Sequence, residues 1–136
     1  MRYYFGRKSK ERLETVDRRL SYILNKTLKS GLIDVSVLQG ERYEDEQNDL
    51  FEKGLSKLKF PESKHNSKPS LAIDAAPYLN GKVSYNYNHC CFLAGIILGT
   101  AKQFGYEIRW GGNWDMDGEP ITDQDFQDLL HYELVT

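Results

Sequence analysis

Between Pro69 and Pro77 the chain runs Leu71-Ala72-Ile73-Asp74-Ala75-Ala76, an apolar hexapeptide with a single carboxylate inside it. So short a segment, closed at both ends by proline, cannot hold a helix and reads as a buried strand. A carboxylate in a buried strand is costly unless it is paired or bound to a metal ion. Whatever fold this chain adopts must bring a partner to Asp74.

The flanking sequence supplies the rest of a small α+β architecture. Ser9 to Ser30 has Leu13, Val16, Leu20, Ile23, Leu24 and Thr27 at three- and four-residue steps, which predicts one amphipathic helix with Ser9 as N-cap and Gly31 as C-cap. Ile33 to Val37 alternates as a strand, and Tyr43 to Lys53 is an acid-rich helix ending at Gly54. Lys57 to Ser70 reads as an ordered loop. Asn88 to Phe104 has helical length, with Phe92, Leu93, Ile96, Ile97 and Ala101 expected on its apolar side. Tyr106 to Trp110 alternates as a strand, and Gly111 to Pro120 is a turn-rich loop. Thr122 to Leu130 reads as a short helix, and His131 to Val135 as a closing strand. The short returns between elements favour a small, mostly antiparallel sheet packed against helices, as a single domain over residues 1–136.

Charge and composition exclude several classes of function. With 18 basic and 20 acidic side chains the net charge is −2, without the footprint of a dedicated nucleic-acid binder. The most apolar window, Cys90 to Leu98, is too short to span a bilayer, so no stable membrane insertion is expected. The first residues, Met1-Arg2-Tyr3-Tyr4-Phe5-Gly6, lack the apolar run of a secretory signal. Cys90 and Cys91 are adjacent and unsuited to a structural disulfide, and both are expected to pack on the core side of their helix. A monomer made in a reducing compartment is the expected state.

The chain has no Walker loop, no G-x-G-x-x-G, no G-x-S-x-G elbow, no paired C-x-x-C and no H-E-x-x-H helix. What remains is His65 in the loop, Asp74 in the apolar strand and His131 opening the last strand. Singly, each has an ordinary explanation: a solvated histidine, a paired acid, a helix-capping histidine. Together they form a three-ligand set that leaves the fourth position of a zinc ion open for water. Asp128 lies three residues before His131, one turn away on the expected short helix, where it would serve as a proton shuttle. Its alternative is membership of a solvated acidic stretch with Asp123 and Asp125.

In this order the motifs become recognisable. Ser63-Lys64-His65, Ala72-Ile73-Asp74 and Asp128-Leu129-Leu130-His131 resemble the S-x-H, A-x-D and acid-x-x-His pattern of the zinc DD-/LD-peptidase family. That family includes D-alanyl-D-alanine carboxypeptidases and phage L-alanyl-D-glutamate endolysins. Gln39-Gly40-Glu41-Arg42 with Gln47 is similar to its G-x-R segment, Trp110-Gly111-Gly112-Asn113-Trp114 to its W-G-G-D-W loop, and Phe5-Gly6-Arg7-Lys8-Ser9 to the opening of the phage enzymes. The resemblance implies zinc held by His65, Asp74 and His131, Asp128 as general base and acid, and Arg42 stabilising the tetrahedral intermediate. It makes Ser63 and Gln47 supporting or substrate-binding residues. Glu133, two residues beyond His131 on a strand, points the same way and is a candidate support for the site. The sequence departs from the family pattern in three places: a longer stretch between His65 and Asp74, Asp rather than Glu at 128, and Asn113 where Asp is usual.

The expected function is therefore zinc-dependent hydrolysis of the bacterial peptidoglycan stem peptide at its L-alanyl-D-glutamate bond, as in a phage endolysin. Such an enzyme is made in the host cytoplasm and reaches the wall through a membrane lesion. The alternatives are a D-alanyl-D-alanine carboxypeptidase or dipeptidase, and a non-catalytic wall-binding module on the same fold. A binding module would have no need of Asp128.

Overall fold

The computed structural model describes residues 1–136. In chain order its elements are α1 (Arg7–Leu13), α2 (Arg18–Lys29), β1 (Val35–Gln39), α3 (Glu44–Glu52), a single 3₁₀ turn (Lys64–Asn66), β2 (Ala72–Leu79), β3 (Lys82–Val83), α4 (Tyr87–Gln103), β4 (Ile108–Gly111) and β5 (Asp128–Leu134). The strands form one sheet in the order β1-β2-β5-β4, with β3 hairpinned onto the end of β2. Every pairing between them is antiparallel. The expected α+β class and antiparallel sheet are both found.

Strand alternation sorts the two faces of this sheet. Ile73 pairs with Tyr132, and both enter the core against Leu20, Ile23, Leu93 and Ile97 of α2 and α4. The next pair along, Asp74 with His131, faces the opposite way, as does Glu133 opposite Ala72 and Arg109. One face of the sheet is thus a hydrophobic seat for helices, and the other carries titratable groups.

Four expectations need correction. The single helix over Ser9 to Ser30 is two helices, because Asp17 acts as an N-cap: its carboxylate accepts from the Arg19 backbone N–H at 2.9 Å and starts α2. Before it, Val16 bridges to Ser70, and the Asp17 N–H donates to the Ser70 carbonyl at 2.8 Å, so the chain is extended there. Ser9 is no cap either. It is buried inside α1, and its hydroxyl accepts from the Val37 N–H at 2.9 Å, tying α1 to the edge of β1. Gly31 and Gly54 do close their helices with positive φ, as expected.

The third correction concerns Thr122 to Leu130, where no helix forms. The segment is turns followed by the start of β5. Side chains on α4 also depart from their expected face: Phe92 is 53% exposed, Cys90 takes the buried position, and Cys91 is only half-buried. His89 is exposed at the start of α4, its Nδ1 2.8 Å from the Ser84 hydroxyl, and takes no part in packing. No helix is long and apolar enough to cross a membrane.

Candidate active site

The polar face of the sheet meets the 3₁₀ turn at a cleft of about 500 Å³, whose lining includes Arg42, His65, Asp128, His131 and Glu133. His65 is delivered by that turn rather than by a free loop. The Ser63 hydroxyl accepts from the His65 N–H at 3.2 Å, and the Asn66 side chain accepts from the Ser63 N–H at 3.1 Å, a reciprocal cap that fixes the turn. His65 ends up 1% exposed. Its Nδ1 lies 2.7 Å from the Gly40 carbonyl, an acceptor only, so Nδ1 carries a proton and Nε2 is the nitrogen that faces Asp74, at 3.2 Å.

His131 is oriented the same way through its other nitrogen. Nε2 lies 2.8 Å from the Glu133 carboxylate, leaving Nδ1 directed at Asp74 Oδ1 at 3.3 Å. Two ring nitrogens thus converge on one carboxylate oxygen, with the three ligand atoms within 4.8 Å of one another. Ligands at about 2.0–2.1 Å around a tetrahedral ion are separated by about 3.4 Å, close to the two His–Asp distances found. The donor set, its spacing and the backing of both rings by acceptors fit a divalent ion of the zinc type.

The electrostatics agree. Burial alone would raise the Asp74 pKa, but hydrogen bonding from His131 and His65 overrides it and holds the carboxyl well below the usual carboxylate range. Burial would likewise lower the His131 pKa, yet the Asp74 and Glu133 carboxylates lift it to about 9. A pocket that holds Asp74 ionised and draws a proton onto His131 is one that demands positive charge. Glu133 is itself held by Arg109 at 2.8 Å and Lys64 at 3.5 Å, and it stays ionised, at about 2, because the His131 and Arg109 contacts outweigh its burial.

Asp128 reaches the cleft by a different route from the one expected. Strict alternation back from His131 would aim it at the core face. Instead, Trp110 pairs with Tyr132 while the adjacent Gly111 pairs with Asp128, an irregularity that turns Asp128 to the His131 side. Gly111 permits this: a Cβ there would collide with the Asp128 carbonyl oxygen, and one on Gly112 would strike the Trp110 ring. The W-G-G motif is therefore a packing requirement of the site. Burial, then the charge of Asp74, raises the Asp128 pKa, suiting it to exchange protons.

Arg42 is locked to the same turn. Its N–H donates to the His65 carbonyl at 2.8 Å, and its guanidinium contacts Gln47 Oε1 at 3.0 Å and Asp74 Oδ2 at 3.6 Å. Gln47 is wholly buried and sits behind Arg42, outside the cleft lining, where its carboxamide braces the guanidinium. Asn113 donates to the Asp117 carbonyl at 2.8 Å and holds the loop, and it is not part of the cleft lining. Sequence reasoning missed Arg109, Lys64, Asn66 and the Gly40 carbonyl. The only signal for Arg109 was its place in an alternating strand, and its pairing with Glu133 is a matter of register. One wall of the cleft is aromatic: Trp114 stacks on Phe126 at 6.1 Å between ring centroids and lies 5.6 Å from the His131 ring.

Comparison with known proteins bears on this geometry. The family model for the phage L-alanyl-D-glutamate peptidase matches residues 1–135. The L-alanyl-D-glutamate peptidase of Escherichia phage T5 is 31% identical over 120 residues, spanning 88% of this chain and 87% of that protein. Among solved structures, the Serratia marcescens L-Ala D-Glu endopeptidase ChiX superposes with a TM-score of 0.80 at 24% identity, covering 98% of this chain and 90% of that one. The LD-carboxypeptidase LdcB superposes with a TM-score of 0.57 at 21% identity, covering 88% of this chain and 59% of the other. At these identities the two structures are likenesses of fold.

Proposed function

The chain belongs to the phage L-alanyl-D-glutamate peptidase family, and we propose that it hydrolyses the L-alanyl-D-glutamate bond of peptidoglycan stem peptides with one zinc ion held by His65, Asp74 and His131. The observation that carries this reading is the convergence of three oriented donors beside Asp128 and Arg42 in one cleft. When bound, zinc supplies Lewis acidity that lowers the pKa of a coordinated water to about 7.

The protein's own groups account for the remaining chemistry. Asp128 accepts the proton of the attacking water on its carboxylate and returns it to the amine that leaves. Arg42, held by Gln47 and the 3₁₀ turn, offers its guanidinium to the carbonyl oxygen as negative charge develops there. Glu133, braced by Arg109 and Lys64, keeps the His131 ring in its ligating orientation. Trp114 and Phe126 form an apolar wall that keeps bulk water off one side of the reacting bond. Family membership further supports synthesis in a host cytoplasm, with the wall reached through a membrane lesion.

Product analysis tests the assignment. Purified peptidoglycan digested by the zinc-loaded protein should yield fragments with new N-terminal D-glutamate. Release of terminal D-alanine instead would reassign the bond to the carboxypeptidase type, and no new termini at all would leave only a wall-binding module.

A further inference from the structure

Four cationic side chains line the cleft: Arg42, Lys57, Lys64 and Arg109. Three already have a carboxylate. Arg42 lies 3.6 Å from Asp74, while Lys64 and Arg109 lie 3.5 and 2.8 Å from Glu133. Lys57 has none. Its ammonium sits 5.0 Å from the centroid of the Phe126 ring, the aromatic wall of the same cleft. A cation–π contact orients an ammonium but leaves its charge uncompensated. Glu62, the one exposed acid on the lining, makes no ion pair with it.

The loop that carries Lys57 is fixed at this height by the residue that fixes Arg42. Gln47 donates through its amide to the Ser56 hydroxyl at 3.0 Å and to the Leu58 carbonyl at 2.6 Å, the two residues flanking Lys57. Its carbonyl oxygen accepts from Arg42 at 3.0 Å. A single buried carboxamide thus sets the guanidinium and the free ammonium in one frame, and Phe126 orients the ammonium from the opposite wall.

We propose that Lys57 is a specificity-determining residue that recognises the free α-carboxylate of the D-glutamyl residue on the leaving side of the scissile bond. This rests on the peptidase assignment above and names the group read at that same site. In a stem peptide the D-glutamyl residue continues through its γ-carboxyl, so its α-carboxylate is free and sits on the carbon bearing the scissile nitrogen. Entering the cleft, that carboxylate needs a cation not already paired, and Lys57 is the one available. A charge-assisted hydrogen bond at the rim discriminates an acid from its neutral amide by about tenfold, less in high salt.

The test uses the zinc-loaded full chain and two synthetic stem peptides identical except that one carries D-glutamate and the other D-isoglutamine, its α-amide. The wild type is expected to favour the acid about tenfold in kcat/KM, chiefly through KM, and the preference should shrink in high salt. Lys57→Gln should lose about tenfold in kcat/KM on the acid and clearly less on the amide, so that the preference disappears, and Lys57→Arg should restore it. Equal loss on both substrates, or an undiminished preference in Lys57→Gln, overturns the proposal while leaving the peptidase assignment standing. A wild type that cleaves neither peptide overturns both.

Discussion

The Nε2 of His131 lies 2.8 Å from the Glu133 carboxylate, two residues along the same strand, and this contact selects which histidine nitrogen faces Asp74. Glu133 can do this because it is ionised and braced from two sides by Arg109 and Lys64. Glu133→Gln keeps the side-chain shape but removes the charge. Zinc affinity, measured by chelator competition, should fall by about 10–100-fold, with the fold intact by circular dichroism. Unchanged affinity would mean that His131 is oriented by something else.

Asp128 is assigned to proton transfer and not to the ion. Asp128→Asn should therefore bind zinc as tightly as the wild type while kcat falls by about 10²–10⁴-fold. Measuring metal content and turnover on the same preparation separates the two roles. Loss of zinc in this variant would make Asp128 a ligand, and retained turnover would remove it from the chemistry.

The parts of this site that sequence reveals are those whose cost is local. Asp74 stood out because an isolated carboxylate in an apolar strand is expensive wherever the strand lies, and the period of two on the last strand correctly aligned Glu133 with His131. Hidden were features decided by distant partners. Thr122 to Leu130 carries good helix signals, yet its pairing with β4 and the close approach at Gly111 make it turn and strand. Asp17 looks like an ordinary helix-interior acid until Val16 is drawn to Ser70 and the chain must restart. Arg109 and Lys64 are visible only once register sets them beside Glu133.

Gly111 connects the fold to catalysis. A methyl group there would press on the Asp128 backbone. Gly111→Ala should lower stability by about 1–3 kcal/mol in a denaturant melt, the range for overpacking. Because the displaced segment is the one bearing Asp128, kcat should fall more than zinc affinity does. A variant with full turnover would show that β5 can shift without moving the carboxylate.

The Tyr132 side chain is fully buried on the core face, and its hydroxyl has no hydrogen-bond partner. A buried hydroxyl with no partner has lost its water and gained nothing. Tyr132→Phe should leave stability unchanged or raise it by up to about 1 kcal/mol. A clear loss in the urea midpoint would point to a partner for the hydroxyl in solution.

The loop between β4 and β5 holds a second acidic group, Asp115, Asp117 and Asp123, all exposed. Desolvation, then hydrogen bonding and repulsion from Asp117 and Asp115, raises the Asp123 pKa to about 6, above the ordinary Asp value near 3.8. A raised folded-state pKa means that the folded chain binds this proton more tightly than the unfolded chain. The associated stability is fully present below about pH 4, near the unfolded value, and is lost as pH rises through about 6. Asp123→Asn removes the third charge. In metal-free buffer it should melt above the wild type at pH 8, with the gap closing by pH 4. A gap that persists at pH 4 would trace the change to loop packing and not to carboxylate repulsion.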